Sequence, residues 1–349
     1  MSAFMHRLSG HASGIAPSVD AATVQGLTPA ELGGDTSQIE ARLDALEGRV
    51  DDLEADNAAL EATVAGLEGQ VADLQGLLAG VSRHDDAQGR DTLVLAGMNL
   101  QVVNGTGTTD EAPNGLGNLL IGYDTERPTD PDKTGSHYLV VGDQHNYTAF
   151  GGIVAGFRNT ASGDGASVTG GSFNTASGFR ASVTGGSNNV AQGDWASVTG
   201  GGGNTASGNG AWVSGGLFNT ASGSRASVSG GENNIASGNR ASVSAGENNI
   251  ASGDRASVSG GRNNIAGGDW ASVSGGVVNT ASGDWSSVVG GQLNEAVGSR
   301  SSVTGGRVNA AEANWSIVVG GSGRTIIDSP ANECDSQVGD TLFADTCQF

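Results

Sequence analysis

Apolar residues between positions 39 and 81 recur at alternating intervals of four and three residues. This spacing is a heptad repeat and predicts a coiled coil over 36–84, roughly 65 Å long at the usual helical rise. A helix with such an apolar stripe is not stable alone in water, so the pattern predicts an oligomer. The stripe consists of Ile39, Leu43, Leu46, Val50, Leu53, Leu60, Val64, Leu67, Val71, Leu74, Leu78 and Val81.

The core positions of this coiled coil bear on the number of chains. The a positions hold mainly Val and Leu, the d positions hold Leu, and Asn57 interrupts the a positions. This combination favours two strands, and a buried Asn fixes the register. Arg42 and Arg49 at g positions can reach Glu47 and Glu54 at e positions of a partner helix.

From Ile153 onward the pattern changes to a repeat of fifteen residues with one apolar position in each copy. Asn follows that position by six residues and Ala by eight, while Gly follows by three and, in all copies but one, by ten. Two short β-compatible stretches, A-S-V-T/S and N-T/I-A-S, are thus separated by glycine-rich corners. Such a unit suits one turn of a thin β-solenoid. The apolar column is Ile153, Val168, Val183, Val198, Val213, Val228, Val243, Val258, Val273, Val288, Val303 and Val318.

Alternation along a strand decides which side chains face the interior of this solenoid. We expect the Val and the Ala two residues before it to face inward, together with the Asn and Ala of the second stretch. Stacked turns lie about 4.8 Å apart, so each Asn amide is expected to bond to the same amide in the neighbouring turns. The residues assigned to this structural ladder are Asn159, Asn174, Asn189, Asn204, Asn219, Asn234, Asn249, Asn264, Asn279, Asn294 and Asn309.

The remaining segments are assigned around these two regions. Residues 1–35 lack periodicity and form a lead-in, and residues 85–150 form a transition whose segments GNLLIG and HYLVVGDQHN are degenerate copies of the repeat. The repeats fill 151–323, and residues 324–349 form a C-terminal cap. In this cap Cys334 and Cys347 are spaced for a local disulfide, with two free thiols as the alternative.

The A-S-V-T-G-G-x-x-N-T-A-S-G-x-x units resemble the head repeats of trimeric autotransporter adhesins (YadA-like heads), whose motif is S-V-A-I-G-x-x-A-x-A-x-G-x-x. The resemblance covers 151–323 and implies a left-handed parallel β-roll, three chains side by side, a coiled-coil stalk and a surface-adhesive role. Three features depart from the family: a period of fifteen instead of fourteen, Gly in place of the second apolar residue, and a stalk before the head. No membrane barrel is visible after Ile327, so the anchor is not carried over. We favour three chains, because the larger region should set the symmetry, and keep two as the alternative.

One outward column predicts a contact between subunits. The position seven residues after each Val holds β-branched residues on an otherwise small and polar surface, which suggests a subunit interface, with β-propensity alone as the alternative. The column is Thr160, Thr175, Val190, Thr205, Thr220, Ile235, Ile250, Ile265 and Thr280.

A second outward column carries large planar residues twelve positions after each Val, with Gly at 165 and 210. Planar groups at a corner can stack on sugar rings or engage a protein. The alternative is that they cover neighbouring backbone or pair with carboxylates such as Asp164 and Asp254. This candidate partner-binding set, the corner column, is Arg180, Trp195, Arg225, Arg240, Arg255, Trp270, Trp285, Arg300 and Trp315.

Composition and charge limit which partners and which location we expect for the protein. With 60 Gly in 349 residues and 5% aromatic residues, the chain is unlike a compact globule. A net charge of −21, with Lys133 as the only lysine, repels phosphate backbones, so nucleic acid is not expected as a partner. No apolar run reaches the roughly 18 residues of a membrane span, and the start MSAFMHRLSGHASG lacks the apolar region of a secretory signal. We expect an extracellular or cell-surface location by an unidentified export route.

The chain offers no convincing set of catalytic residues. His137 and His145, near Asp143, have a spacing that a metal could use, but further ligands are missing and a structural reading is preferred. The GGxGxD period of calcium-binding repeats and the regular Thr ranks of ice-binding surfaces are also missing. We therefore expect no enzyme, no cofactor and no metal, and a hydrolase or lyase on a repeat scaffold lacks its acid–base pair. The expected function is a non-enzymatic surface fibre with an adhesin-like head; the alternative is a phage- or injection-particle-type tail fibre that binds a cell-surface receptor.

Overall fold

The computed structural model describes residues 29–327, 333–338 and 341–346. The chain divides into two units, Met1–Leu100 and Gln101–Phe349. The lead-in expected over 1–35 lies outside the described residues up to position 28.

The first described element is one long helix, α1, which spans Pro29–Leu77 and contains 49 residues. It therefore begins and ends earlier than the 36–84 that the heptads predicted. Pro is favourable in the first helical turn, where its missing N–H would have no partner within the helix. The heptad stripe is exposed along α1: Leu53, Leu60 and Leu67 have exposed fractions of 58%, 59% and 54%. The described structure leaves this stripe accessible.

A short hairpin completes the first unit. Its strands, β1 (Val81–Asp85) and β2 (Asp91–Leu95), pair antiparallel. Between them the Asp86 carboxylate accepts hydrogen bonds from the backbone N–H groups of Gln88 and Arg90, at 2.8 and 3.0 Å, and from Arg90 Nε at 2.7 Å. The Arg90 guanidinium is the main cause of the lowered pKa of Asp86. These bonds fix the tight turn without any apolar core.

The second unit is a parallel β-solenoid with two continuous sheets. Among the described residues the first sheet has 16 strands and the second has 13. The first sheet consists of β3 (Leu119–Ile121), β4 (Ser136–Asp143), β6 (Phe150–Phe157), β8 (Ser167–Val168), β10 (Ser182–Val183), β12 (Ser197–Val198), β14 (Trp212–Val213), β16 (Ser227–Val228), β18 (Ser242–Val243), β20 (Ser257–Val258), β22 (Ser272–Val273), β24 (Ser287–Val288), β26 (Ser302–Thr304), β28 (Ile317–Val319), β30 (Glu333–Val338) and β31 (Thr341–Thr346). The second sheet consists of β5 (Asn146–Tyr147), β7 (Thr160–Ala161), β9 (Thr175–Ala176), β11 (Val190–Ala191), β13 (Thr205–Ala206), β15 (Thr220–Ala221), β17 (Ile235–Ala236), β19 (Ile250–Ala251), β21 (Ile265–Ala266), β23 (Thr280–Ala281), β25 (Glu295–Ala296), β27 (Ala310–Ala311) and β29 (Thr325–Ile326).

Successive turns pair in register at the predicted spacing. Val183 pairs with Val198 in the first sheet, and the equivalent alanines pair in the second. A third line of single bridges, such as Ser187 to Gly202, runs through the segment that the sequence assigned to a corner. Each turn is therefore hydrogen-bonded to the next along three lines, which confirms a β-solenoid with turns of about fifteen residues.

The interior is narrow and is filled by small side chains. Ala181, Val183, Asn189 and Ala191 in one turn have exposed fractions of 1% or less, as the alternation predicts. The glycine ten residues after each Val is needed because the turns approach closely there. A Cβ at Gly238 would lie 2.0 Å from the carbonyl oxygen of Gly253 in the next turn.

The first turns are shorter than the sequence analysis predicted. Val154 is fully buried and pairs with Val140 and Val168, whereas Ile153 is 37% exposed. The inward valines are thus fourteen residues apart up to Val168 and fifteen apart afterwards. The assignment of Ile153 to the inward column was wrong, because one residue is missing from the corner that follows it.

Two tyrosines close the N-terminal end of the stack. Tyr138 and Tyr147 are buried, and their ring centroids are 5.4 Å apart. The Tyr147 hydroxyl donates to the Asp124 carboxylate at 2.9 Å, and the other Asp124 oxygen pairs with Lys133 at 3.0 Å. Burial raises the pKa of Tyr138 to about 12. Solenoids need such caps because a terminal turn lacks a neighbour on one side.

At the C-terminal end the first sheet finishes in a hairpin. β30 pairs parallel with β28 and antiparallel with β31. Cys334 belongs to β30, but Cys347 is not among the described residues. The predicted disulfide therefore lies outside the described residues.

Candidate functional site

The eleven asparagines form one buried column, and their side chains bond to backbone groups. In a typical turn the Asn234 amide nitrogen donates to the carbonyl oxygens of Gly230 and Gly246, at 3.0 and 2.8 Å. Its amide oxygen accepts from the backbone N–H of Asn249 at 3.0 Å. The predicted bonds between one side-chain amide and the next are therefore not observed, and each amide bonds to backbone groups instead. The corner at Gly231, with a φ of +89°, leaves inward-facing carbonyl groups that the amides satisfy.

A histidine takes the place of asparagine at the N-terminal end of this column. His145 Nδ1 accepts from the backbone N–H of Asn159 at 3.2 Å, and Nε2 lies 3.2 Å from the Val141 carbonyl oxygen. An imidazole with its proton on Nε2 satisfies both groups, as an asparagine amide would. Burial is the main reason why the pKa of His145 is lowered. Both ring nitrogens of His145 thus bond within the fold. The second candidate histidine, His137, also bonds to the backbone: its Nε2 atom accepts from the Asn104 N–H at 3.2 Å.

The corner column has a backbone conformation that favours glycine. Its members have φ values between +52° and +66°, close to those of Gly165 and Gly210 in the same column. The left-handed conformation costs about 1–2 kcal/mol for a residue with a Cβ. The chain nevertheless places four of its five tryptophans there. The same conformation recurs five residues after each Val, for example at Phe173 and Val278, so it belongs to the corners of the solenoid in general.

In the C-terminal half of the corner column the planar groups stack on one another. The rings of Trp270 and Trp285 are nearly parallel, at 7°, with centroids 4.7 Å apart. The Arg255 guanidinium lies 4.3 Å from the Trp270 centroid, and that of Arg300 lies 4.5 Å from the Trp315 centroid. These side chains already have aromatic or cationic partners within the column.

In the N-terminal half, Phe179 joins the column from the neighbouring position. Its ring meets that of Trp195 edge-to-face at 5.4 Å, and the Arg180 guanidinium lies 4.8 Å from its centroid. The sequence analysis missed Phe179, because Asp, Asn or Ser occupies the equivalent position in most other turns.

The middle of the corner column forms a groove of about 300 Å³. The arginines that line it, Arg225, Arg240 and Arg255, make no ion pair and no side-chain hydrogen bond within the described part of the chain. The only acidic residue in the lining is Asp254, which accepts from the backbone N–H and the amide of Asn239 at 3.1 Å. The expected alternative, in which the arginines pair with carboxylates, is therefore not seen among the described residues.

A second groove, of about 250 Å³, lies near the N-terminal cap. It is lined in part by Arg127 and Arg158, but both arginines bond to the protein itself. Arg127 donates to the carbonyl oxygens of Gln144 and Asn159, at 2.8 and 2.6 Å, and Arg158 donates to the Gln144 side chain at 2.6 Å. This groove therefore lacks the unpaired cations of the first.

The β-branched outward column lies on the outer face of the second sheet. In each strand the alanine that follows the β-branched residue faces the interior and is buried. Ile235 and Ile265 are each 37% exposed, and Ile250 between them is half-buried. Together they make a short apolar strip on an otherwise small and polar face.

Within residues that the structure describes, His, Cys, Asp and Glu form no group of three or more that could hold a metal ion. Among the described helices, none is both long and apolar enough to cross a membrane. No family model matches the chain, and no curated protein matches it either. The exposed stripe of α1 and the corner column are the surface features that bear on its function.

Proposed function

We propose that the chain is a non-enzymatic subunit of an extracellular or cell-surface fibre with an adhesive or structural role. In this proposal α1 joins identical chains in a coiled coil, and the solenoid is the head. The observation that carries the proposal is the exposed heptad stripe on the same chain as a long repetitive stack. A stripe of this length needs a partner of matching period, and a second copy of the chain supplies one.

Two further observations favour three chains. The inward residues Val140, Val154 and Val168 are fourteen residues apart, and fourteen is also the period of the trimeric adhesin heads that the repeats resemble. The exposed strip of Ile235, Ile250 and Ile265 gives neighbouring solenoids an apolar surface to share. Asn57 in the stripe still favours two chains, so the number of chains needs a direct measurement.

The adhesive role can be tested through multivalency. We compare the labelled full chain with the variant Leu53→Asp/Leu60→Asp, which places charges in the stripe, and with the control Ala55→Asp/Ala62→Asp on the opposite side of the helix. Retention on cell surfaces is measured by flow cytometry. Several linked heads bind about 100- to 10,000-fold more tightly than one head, so the stripe variant should lose most of the retention while the control keeps it. Equal retention of the stripe variant and the unmodified chain would contradict the proposal.

A further inference from the structure

We propose that the groove lined by Arg225, Arg240 and Arg255 binds a linear acidic polysaccharide. Its carboxylate or sulfate groups would lie on the guanidinium groups, and a sugar ring would lie against Trp195. This inference rests on the proposed function, because it names the kind of ligand that the head would hold.

The first argument is the unpaired positive charge. Arg225, Arg240 and Arg255 lie on successive turns about 4.8 Å apart, exposed, and without a carboxylate partner in the described chain. They form this row on a molecule whose net charge is −21. Arg presents a planar fork of N–H donors that matches carboxylate and sulfate groups. A row of such forks fits a polymer that carries acidic groups at intervals along its length.

The second argument is the uniform backbone from which these side chains extend. The φ values of Arg225, Arg240 and Arg255 are +56°, +59° and +58°, so the three residues leave the corner with the same backbone geometry. Each backbone N–H is also bonded to the preceding turn, as Arg240 is to the Ser224 carbonyl oxygen at 2.8 Å. A backbone that is ordered before binding need not be ordered by the ligand, and this lowers the entropic cost of binding.

The third argument is a gap in the column beside an aromatic ring. Trp195 meets Phe179 edge-to-face on one side, but fifteen residues later it is followed by Gly210, which has no side chain, and 54% of Trp195 is exposed. Trp270 and Trp285, in contrast, stack on each other. The apolar face of a sugar ring packs on an exposed aromatic ring. The column thus divides into a segment from Trp195 to Arg240, which we assign to the ligand, and a self-stacked segment that begins where Arg255 lies on Trp270. The guanidinium of Arg255 lies at the boundary and still lines the groove.

The surroundings favour a polysaccharide over a nucleic acid. The arginine run is short; Asp254 lies within the groove itself, and Asp194 and Asp269 lie in turns before and after it. A strand with one phosphate in every nucleotide would bring phosphates close to these carboxylates. A polysaccharide carries sugar hydroxyl groups between its acidic groups, and these can donate hydrogen bonds to the same carboxylates.

The test compares two matched double variants of the full chain. Arg225→Gln/Arg240→Gln removes two charges from the groove, and the control Arg262→Gln/Arg307→Gln removes two exposed charges from a different face of the same solenoid. Binding is measured at low and at physiological salt with polygalacturonate (carboxylate), chondroitin sulfate (sulfate and carboxylate), neutral dextran and poly(dT). Thermal unfolding of each variant checks that the fold is intact.

We expect the unmodified chain to bind at least one acidic polysaccharide and not dextran. The groove variant should bind about tenfold more weakly for each arginine removed, and the control should change binding less than threefold. The proposal is overturned if neither acidic polysaccharide binds, if both variants lose binding equally, or if poly(dT) binds more tightly than both polysaccharides. Sedimentation of the same samples separates the two proposals: an oligomer that binds no polysaccharide contradicts only this inference, and a monomer that binds contradicts only the fibre.

Discussion

Replacement of one asparagine in the buried column should destabilise the solenoid more than its small volume suggests. In Asn234→Ala, the N–H of Asn249 and the carbonyl oxygen of Gly230 lose their hydrogen-bond partner. The Gly246 carbonyl keeps a bond, at 2.9 Å, from the backbone N–H of Glu232. The buried N–H of Asn249 left without a partner costs about 1–3 kcal/mol, and loss of the part-buried bond to the Gly230 carbonyl costs about 0.5–1.5 kcal/mol, so the free energy of unfolding should fall by about 1.5–4.5 kcal/mol.

The matched control for this variant is Asn209→Ala, because the Asn209 side chain is exposed and forms no hydrogen bond within the described residues. Denaturant unfolding gives the free-energy difference, and amide hydrogen exchange locates it. The turns next to Asn234 should exchange faster while distant turns change little, because each turn contacts only its neighbours. If Asn234→Ala and Asn209→Ala destabilise the chain equally, the column does not hold the turns together as described.

Three further predictions concern single positions in the solenoid. The difference in unfolding free energy between the unmodified chain and His145→Asn should be constant above about pH 6.5 and should change below it, to the disadvantage of the unmodified chain, by up to about 1.4 kcal/mol per pH unit, because burial lowers the pKa of His145 in the folded state; a difference that does not vary with pH contradicts this. Ser301→Ala should raise the free energy of unfolding by about 1 kcal/mol, because the buried Ser301 hydroxyl has no partner among the described residues. The control Ser316→Ala should lower it, because that hydroxyl donates to the Ala313 carbonyl at 2.6 Å; equal effects in thermal unfolding would contradict the assignment. Gly238→Ala should destabilise the chain by about 3 kcal/mol or more, because its Cβ would meet the next turn. Gly230→Ala, with nothing within 4 Å of its Cβ, should leave the denaturation midpoint nearly unchanged, and similar midpoints for the two variants would refute the close approach.

The repeat made most of the solenoid predictable from the sequence. Val183 and Asn189 recur so regularly that the period fixes which side chains share a column, and alternation fixes which of them face inward. The same reasoning failed at Ile153, because a turn shorter by one residue changes which side chain points inward. It also missed the closure of the stack by Tyr138 and Tyr147, since a cap belongs to one end and has no copies.

The properties of the corner column were harder to predict. The sequence shows which residues occupy it, but not which of them already have partners. Arg255 can stack because Trp270 follows in the next turn, whereas Arg225 is followed by another arginine, Arg240, and has no side-chain partner among the described residues. These distinctions depend on hydrogen bonds between turns and required the three-dimensional structure.

The fibre is tested most directly by the mass of the full chain in solution. Sedimentation equilibrium at micromolar concentration should give three times the 34.5 kDa of one chain. Twice that mass would contradict the proposed threefold symmetry, and a single-chain mass would contradict the fibre itself.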